Sequence, residues 1–413
     1  MEDTPRLYDT LVQVLRQHQN WVDRRHLKTL ACMMVGLIQS GKISLTAWAP
    51  YGYTRAVYAQ STVRRFTRWL ENKRVAVHAL YGPLLQQALA EWGEHRVYLA
   101  LDTSMLWNTY CLVRISIVYR GRAVPLVWKL LEHPSSSVAY EVYQEMLEQV
   151  VELLPCDCSV VFTADRGFAD THLMAHLTRL GWHWRIRIKG SFWIYRHGQR
   201  RCKVNRIPLS AGQALFWHHV YLTQQRYGPV HLALGRPQDS QEYWFVVSDE
   251  PTEAKTFEEY GLRFDIEENF LDDKSGGFQV QTSELQTPEA LERLFLIIAI
   301  ATLHFTSTGV EVVRAAVRRW VDTHWDRGLS YLKIGWRWLR QQYRRGWQAF
   351  AVFWLDPTPE LVPVTASRRG AGSPKPQWAR CFCADGVGQG DEVHIQYLQT
   401  DHAKRPSGSE PSV

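Results

Sequence analysis

Four side chains in one short segment could act together on a phosphate. In EEYGLRFDIEENFLDDKSGG, residues 258–277, Tyr260, Arg263, Glu267 and Lys274 follow one another at intervals of three, four and seven. On a helix turning about 100° per residue these positions share one face, since Tyr260 to Glu267 is about 700°, close to two full turns. That face gathers a phenol, a guanidinium, a carboxylate and an ammonium. A carboxylate suits a metal ion, and the cations suit phosphate oxygens. Glu268 points about 100° away from this row.

Two further carboxylates stand out by context. Asp102 ends the apolar run RVYLALD, and Asp165 ends SVVFTAD. Taken alone, each is more often a cap or turn residue than a catalyst. If the two runs are neighbouring strands, however, both carboxylates converge at their tips. Two close carboxylates repel, and each is hard to keep dry and charged unless a cation holds it. Oxygen-only ligands of this kind suit Mg2+ or Mn2+ rather than zinc.

The elements that must position these residues can be read from periodicity. Residues 1–95 read as a helical domain, with Leu7, Leu11, Val14 and Leu15 at helical spacing. Its last helix opens at Ser61-Thr62 and carries Arg64, Arg65 and Arg68. A solvated helix face and a major-groove reader both fit that pattern. From residue 96 the order is three strands (96–102, 111–119, 123–131), helix (139–154), strand (159–164), helix (170–180) and strand (182–189). That is the order of a ribonuclease-H-like α/β core, with its first part over 96–189. Residues 190–250 break into short β-like runs and read as a β-rich insertion, and 251–310 complete the core as helices.

Positive charge is concentrated rather than spread. The chain of 413 residues carries a formal charge of +7. The stretch 185–206 holds eight Lys or Arg and no acid, with Trp193 and Tyr195 among them, which is the composition of a nucleic-acid channel. Residues 311–356 form a second basic, aromatic and helical region. Residues 357–413 read as a linker and disordered tail.

Composition excludes several classes. With 46% hydrophobic and 22% charged residues, the chain is neither disordered throughout nor fibrous. Seven scattered Cys and an acidic start without an apolar stretch fit a cytoplasmic protein without a signal peptide. The run Leu294 to Leu303 is too short to span a bilayer, so no membrane partner is expected. There is no HExxH, no GxxxxGK[ST] and no GxSxG.

At Tyr260, Arg263, Glu267 and Lys274 the sequence resembles the Y-R-E-K signature of bacterial insertion-sequence transposases of the DDE class, the insertion-sequence-four-like group. Asp102 in LALDTS and Asp165 in TADRGF extend the resemblance, as does the β insertion between the second Asp and the Glu. The resemblance implies a cut-and-paste transposase that cleaves the ends of a mobile element and joins them to target DNA. It implies that Asp102, Asp165 and Glu267 hold two Mg2+ or Mn2+ ions for phosphoryl transfer. It also implies that Tyr260, Arg263 and Lys274 contact DNA near the cut, and that an aromatic of the insertion (Trp193, Trp217 or Trp244) stacks a flipped base. The implied partners are double-stranded terminal inverted repeats and target DNA, bound by a dimer. A transposase-derived DNA-binding protein that no longer cuts, and a ribonuclease-H-fold nuclease, are the alternatives.

Overall fold

In the computed structural model, residues 3–17, 23–350, 352–360, 362, 378, 380–384 and 394–396 are described. The chain divides into two units, Met1–Arg187 with Glu259–Ser373, and Ile188–Glu258 with Pro374–Val413.

The first unit begins with helices α1 (Asp3–Gln17), α2 (Arg24–Ser40), α3 (Leu45–Trp48), α4 (Ala59–Leu70) and α5 (Val77–Ala88). Asp23 caps α2 by accepting from the Arg25 N–H, and Gly41 ends it in the left-handed conformation. These helices share their unit with the sheet rather than standing apart. Polar ties across long sequence distances join them to later helices of the same unit. Arg293 donates to the Leu70 carbonyl at the end of α4 and to that of Val75. Trp336 donates to the Ile38 carbonyl.

The sheet of this unit contains β1 (Arg96–Leu106), β2 (Tyr110–Tyr119), β3 (Arg122–Glu132), β4 (Ser159–Ala164) and β5 (His183–Arg187). Helix α6 (Tyr140–Leu153) leads to β4, and α7 (Thr171–Arg179) leads to β5. The order is β5-β4-β1-β2-β3, with β1–β2–β3 antiparallel and β1, β4 and β5 parallel. The three strands, helix, strand, helix, strand read from the sequence are therefore present. One expectation needs correction: β1 does not stop at Asp102 but runs to Leu106. Its hairpin partner β2 continues the ladder past that point, pairing Asp102 with Arg114 and Leu106 with Tyr110.

The segment expected as one helix over 258–277 is broken. It forms α8 (Ala254–Gly261), α9 (Phe264–Leu271) and a π-helical turn Asp272–Gly276. Between α8 and α9 the hydrogen bonds tighten to three-residue spacing, Leu262 to Glu259, Arg263 to Tyr260 and Ile266 to Arg263. The steady rotation of about 100° per residue consequently fails across Gly261–Arg263.

Helix α10 (Pro288–Arg314) is the axis of the core, and α11 (Tyr331–Gln341) crosses it. The most apolar window of α10 is 89% buried within the protein. The helix is longer than the ten-residue apolar run suggested, and its apolar surface is spent on the core. Gly309 and Gly335 let the two backbones touch, because a Cβ on either would collide with a carbonyl of the other helix.

The second unit holds the expected β insertion: β6 (Trp193–Tyr195), β7 (Cys202–Lys203), β8 (Gln213–Leu222), β9 (Tyr227–Arg236) and β10 (Trp244–Ser248). The tail is not wholly irregular, which corrects the expectation for 357–413. Strand β11 (Arg380–Ala384) pairs parallel with β8, and β12 (His394–Gln396) pairs antiparallel with β11. Trp378 stacks on Phe257 at 4.4 Å and covers Gly235, where a Cβ would strike its ring. Most of the rest of the tail lies outside the described residues.

Candidate active site

The parallel register of β1 and β4 ends with Leu101 opposite Ala164, so Asp102 and Asp165 are the next residues on adjacent strands. Convergence of these two acids, expected from strand order, follows directly. Asp165 lies past the end of β4 and opens the 3₁₀ turn Arg166–Phe168. Asp102 is nearly buried and both its oxygens are engaged. The Thr103 N–H donates to Oδ1 at 2.8 Å, and Arg263 Nη1 donates to Oδ2 at 2.9 Å.

Arg263 is the hub. Its other terminal nitrogen donates to Glu267 Oε1 at 2.7 Å, and its guanidinium lies 4.7 Å from the Phe264 ring centroid and 5.7 Å from that of Tyr260. Its side chain is 4% exposed, whereas that of Glu267 is 49% exposed. The Tyr260 hydroxyl, at the end of α8, donates to Asp165 Oδ1 at 3.3 Å. The break between α8 and α9 thus does not scatter the row. Tyr260 reaches one aspartate, and Arg263 reaches the other together with the glutamate four residues on.

The electrostatics follow from burial. Asp102 is pushed up to about 6, chiefly by loss of water; Arg263 and the Thr103 N–H oppose this, while Glu267 and Asp165 add to it. Tyr260 is pushed up to about 12 by burial, with Arg263 pulling down and Asp165 pushing up. For Arg263, burial favours the neutral form, but Tyr260, Asp102, Glu267 and Asp165 outweigh it and hold the guanidinium charged.

Lys274 lies apart from this cluster, in the π-helical turn. Burial lowers its pKa, partly offset by Asp273, and it makes no hydrogen bond or ion pair among the described residues. Glu268 points elsewhere, 3.5 Å from Arg122. One supporting residue escaped sequence reasoning. Arg114, the register partner of Asp102, sends its guanidinium to Asp273 at 2.7 Å and Asn269 at 2.6 Å, fully buried. It anchors α9 and the π turn beneath the site. An arginine in the otherwise apolar strand CLVRISIVY was the available signal.

The remaining expected residues separate. Arg64 and Arg68 are exposed on α4. Arg65 is half-buried, donating to Thr54 Oγ1 at 3.3 Å with its guanidinium 5.9 Å from the Phe66 ring. In the second unit, Trp193 carries Arg201 at 5.0 Å and Lys203 at 5.7 Å over its ring, and Trp217 carries Arg196 at 4.3 Å. Trp244 is buried against Phe257, which makes it a core residue.

The donor set at Asp102 and Asp165 is all oxygen and like-charged, which suits a hard divalent cation. Glu267 is engaged by Arg263, and among the described residues no three carboxylates are grouped closely enough to share one ion. The cation that Asp102 and Glu267 hold here is the Arg263 guanidinium.

Residues 108–303 match the family model described as Transposase DDE domain. The match begins just after Asp102 and takes in Asp165, Tyr260, Arg263, Glu267 and Lys274. No curated protein matches the chain. Among solved structures, the chain is similar to the piggyBac transposase synaptic complex with hairpin DNA, at 11% identity and a TM-score of 0.42, covering 89% of this chain and 86% of that one. Over residues 108–303, therefore, the chain is similar to a transposase DDE domain.

Proposed function

We propose that the protein is a cut-and-paste DNA transposase of the insertion-sequence type, built on a ribonuclease-H-like core and acting as a dimer on two element ends. The observation that carries this reading is the joining of Asp102, Asp165 and Glu267 through Arg263 and Tyr260, with bonds of 2.7 to 3.3 Å. Those five residues come from three separate segments, and they gather acids with cation-stabilising and phosphate-binding groups.

Asp102 and Asp165 would hold Mg2+ or Mn2+, with Glu267 joining once its bond to Arg263 is exchanged. When bound, two such ions supply the Lewis-acid charge for phosphoryl transfer. Arg263, freed from Glu267, is positioned to take a phosphate oxygen of DNA through its planar fork. The Tyr260 hydroxyl, kept neutral by its raised pKa, donates rather than accepts, and so orients Asp165. Lys274, with no partner among the described residues, is a second cation for the DNA backbone. In the insertion, Trp193 and Trp217 are the aromatics suited to receive a displaced base.

One observation favours a second reading, a DNA-binding relative that no longer cuts. Arg263 already neutralises Asp102 and Glu267, so the site can rest without a metal. Single-turnover cleavage of a duplex bearing the element end decides between them. Under the first reading, cleavage requires Mg2+ or Mn2+, stops in excess chelator, and is lost in Asp102→Asn and Asp165→Asn. Binding without cleavage under every metal condition supports the second. The DNA flanking the gene, searched for inverted repeats, is the source of the substrate to be tested.

A further inference from the structure

Outside the carboxylate site, the segment between α10 and α11 holds a tryptophan out into solvent on a tightly tied loop. Arg318 donates to Asp322 Oδ2 at 2.8 Å and to the carbonyls of His324, Trp325 and Asp326 at 3.2, 2.6 and 3.1 Å. Asp322, fully buried, also accepts from the His324 N–H at 3.2 Å and the Gly328 N–H at 3.1 Å, and lies 2.7 Å from His324 Nδ1. These are charge-assisted bonds on both sides of the loop tip, so the backbone of 322–328 is fixed before anything binds.

What the loop presents is Trp325, 80% exposed, with the Arg319 guanidinium 4.0 Å from its ring centroid. Trp320, 57% exposed, stands on the same segment, anchored by stacking on Trp338 at 5.8 Å and 18°. An indole is large and apolar, and leaving one in water on a rigid loop gains nothing for folding. The surroundings say what covers it. Residues 314–345 contain nine Lys or Arg against two acids. Arg318 pairs with Asp322 inside the loop and Arg327 is buried against Glu360, which leaves Arg319, Arg337, Arg340, Arg344 and Arg345 exposed beside one acid, Asp326. A protein surface would have to bring compensating acids, whereas a polyanion with flat rings matches both properties at once.

We propose that Trp325 and Arg319 form a stacking platform for an unpaired nucleobase of single-stranded DNA, with Arg319 serving both the ring face and the adjoining phosphate. This rests on the DNA-acting reading above and adds a contact that acts only where strands are separated. Base–aromatic stacking is sequence-tolerant, because every base has a π-face, and arginine adds a cation–π contribution.

The test compares binding of the full chain to a single-stranded oligothymidylate and to a blunt duplex of equal length, for wild type, Trp325→Ala, Trp325→Phe and Arg319→Gln. Trp325→Ala is expected to weaken single-strand binding about tenfold and to leave duplex binding within about twofold. Trp325→Phe should retain most single-strand affinity, and Arg319→Gln should lose several-fold, more on the single strand than on the duplex. Equal losses on both DNAs, or none, overturn the platform. So does a change in sedimentation of the Trp325→Ala protein without a change in DNA binding, which would make the patch a protein interface. Wild-type binding that is salt-dependent while Trp325→Ala is silent sinks the platform alone. Absence of salt-dependent binding to either DNA sinks the DNA reading with it.

Discussion

Arg263 donates to Asp102 across 2.9 Å, joining residues 161 positions apart in the chain. The bond ties the middle of β1 to the junction of α8 and α9, and both partners are nearly buried. A buried carboxylate without this guanidinium would be left uncompensated, a loss on the order of 3–5 kcal/mol. The same guanidinium also holds Glu267, so the charge state of the site is a shared property of three residues. Any ligand that draws Glu267 away from Arg263 leaves Arg263 attached to Asp102 with part of its fork available.

The raised pKa of Asp102 sets a pH dependence with a definite sign. Its carboxyl titrates near 6 in the folded chain, above the ordinary 3.8, so the folded state keeps a proton that the unfolded chain has lost. That contribution is full below the ordinary carboxylate range and disappears as pH rises through about 6. The amide introduced by Asp102→Asn does not titrate. In chelator, the stability of Asp102→Asn relative to wild type should therefore shift in favour of the variant between about pH 4 and about pH 7, by at most about 3 kcal/mol at 1.4 kcal/mol per pH unit. Melting curves across that range check it, and parallel pH profiles for the two proteins would exclude Asp102 as the titrating group. Asp273, also pushed up to about 6, supplies a similar dependence that the variant should keep.

Gly335 should be intolerant of a single methyl group. A Cβ there would run into the Phe305 carbonyl and the Gly309 nitrogen, which are backbone atoms and cannot swing aside. Gly335→Ala is expected to destabilise by about 3 kcal/mol or more, at or above the top of the usual overpacking range. Gly93→Ala, where a Cβ would meet nothing within 4 Å, should be neutral. Denaturant midpoints for both variants check this, and equal midpoints would mean that α10 and α11 do not cross so closely.

Much of the site was legible because its strands are local and strongly patterned. RVYLALD and SVVFTAD are apolar runs that end in an acid, and their adjacency follows from the order of elements. Less legible was where β1 ends, because β2 extends the ladder through pairing beyond Asp102. The break after Gly261 was also hidden. The tightening there accompanies the reach of Tyr260 to Asp165 and Arg263 to Asp102, contacts with other strands that helical periodicity does not encode. Strand β11 was invisible for a related reason: it is five residues long and pairs with β8, some 170 residues earlier. By contrast, Arg65 could have been told from Arg64 and Arg68. Thr62, Phe66 and Trp69 mark the buried face of α4, and Arg65 flanks it.

That difference on α4 makes a prediction about DNA. Arg64 and Arg68 are exposed, and replacing both with Gln should weaken duplex binding and flatten its salt dependence, with a log–log slope smaller by up to about two. Thermal stability should stay within about 0.5 kcal/mol. Arg65→Gln should instead lower stability by about 1 kcal/mol, since its bond to Thr54 and its contact with Phe66 are lost. Salt titrations and melting curves on the same preparations separate the roles. An Arg64/Arg68 double variant with an unchanged salt slope would remove α4 from the DNA contact surface.

Glu267 and Glu268 are adjacent acids with opposite prospects. Glu267 accepts from Arg263 at 2.7 Å, whereas Glu268 lies 3.5 Å from Arg122, a half-exposed pair worth a few tenths of a kcal/mol at most. Glu267→Gln should eliminate strand cleavage while end binding persists, because backbone phosphates are held by cations and not by this acid. It should barely change stability, since Arg263 keeps Asp102 and the amide oxygen can still accept. Glu268→Gln should cut at close to the wild-type rate. Single-turnover cleavage of an end-bearing duplex, run beside a binding assay for all three proteins, measures both properties. A dead Glu268 variant beside an active Glu267 variant would move the third acid one position along α9. The bond from Arg263 to Glu267 would then be a surface ion pair with no part in cleavage.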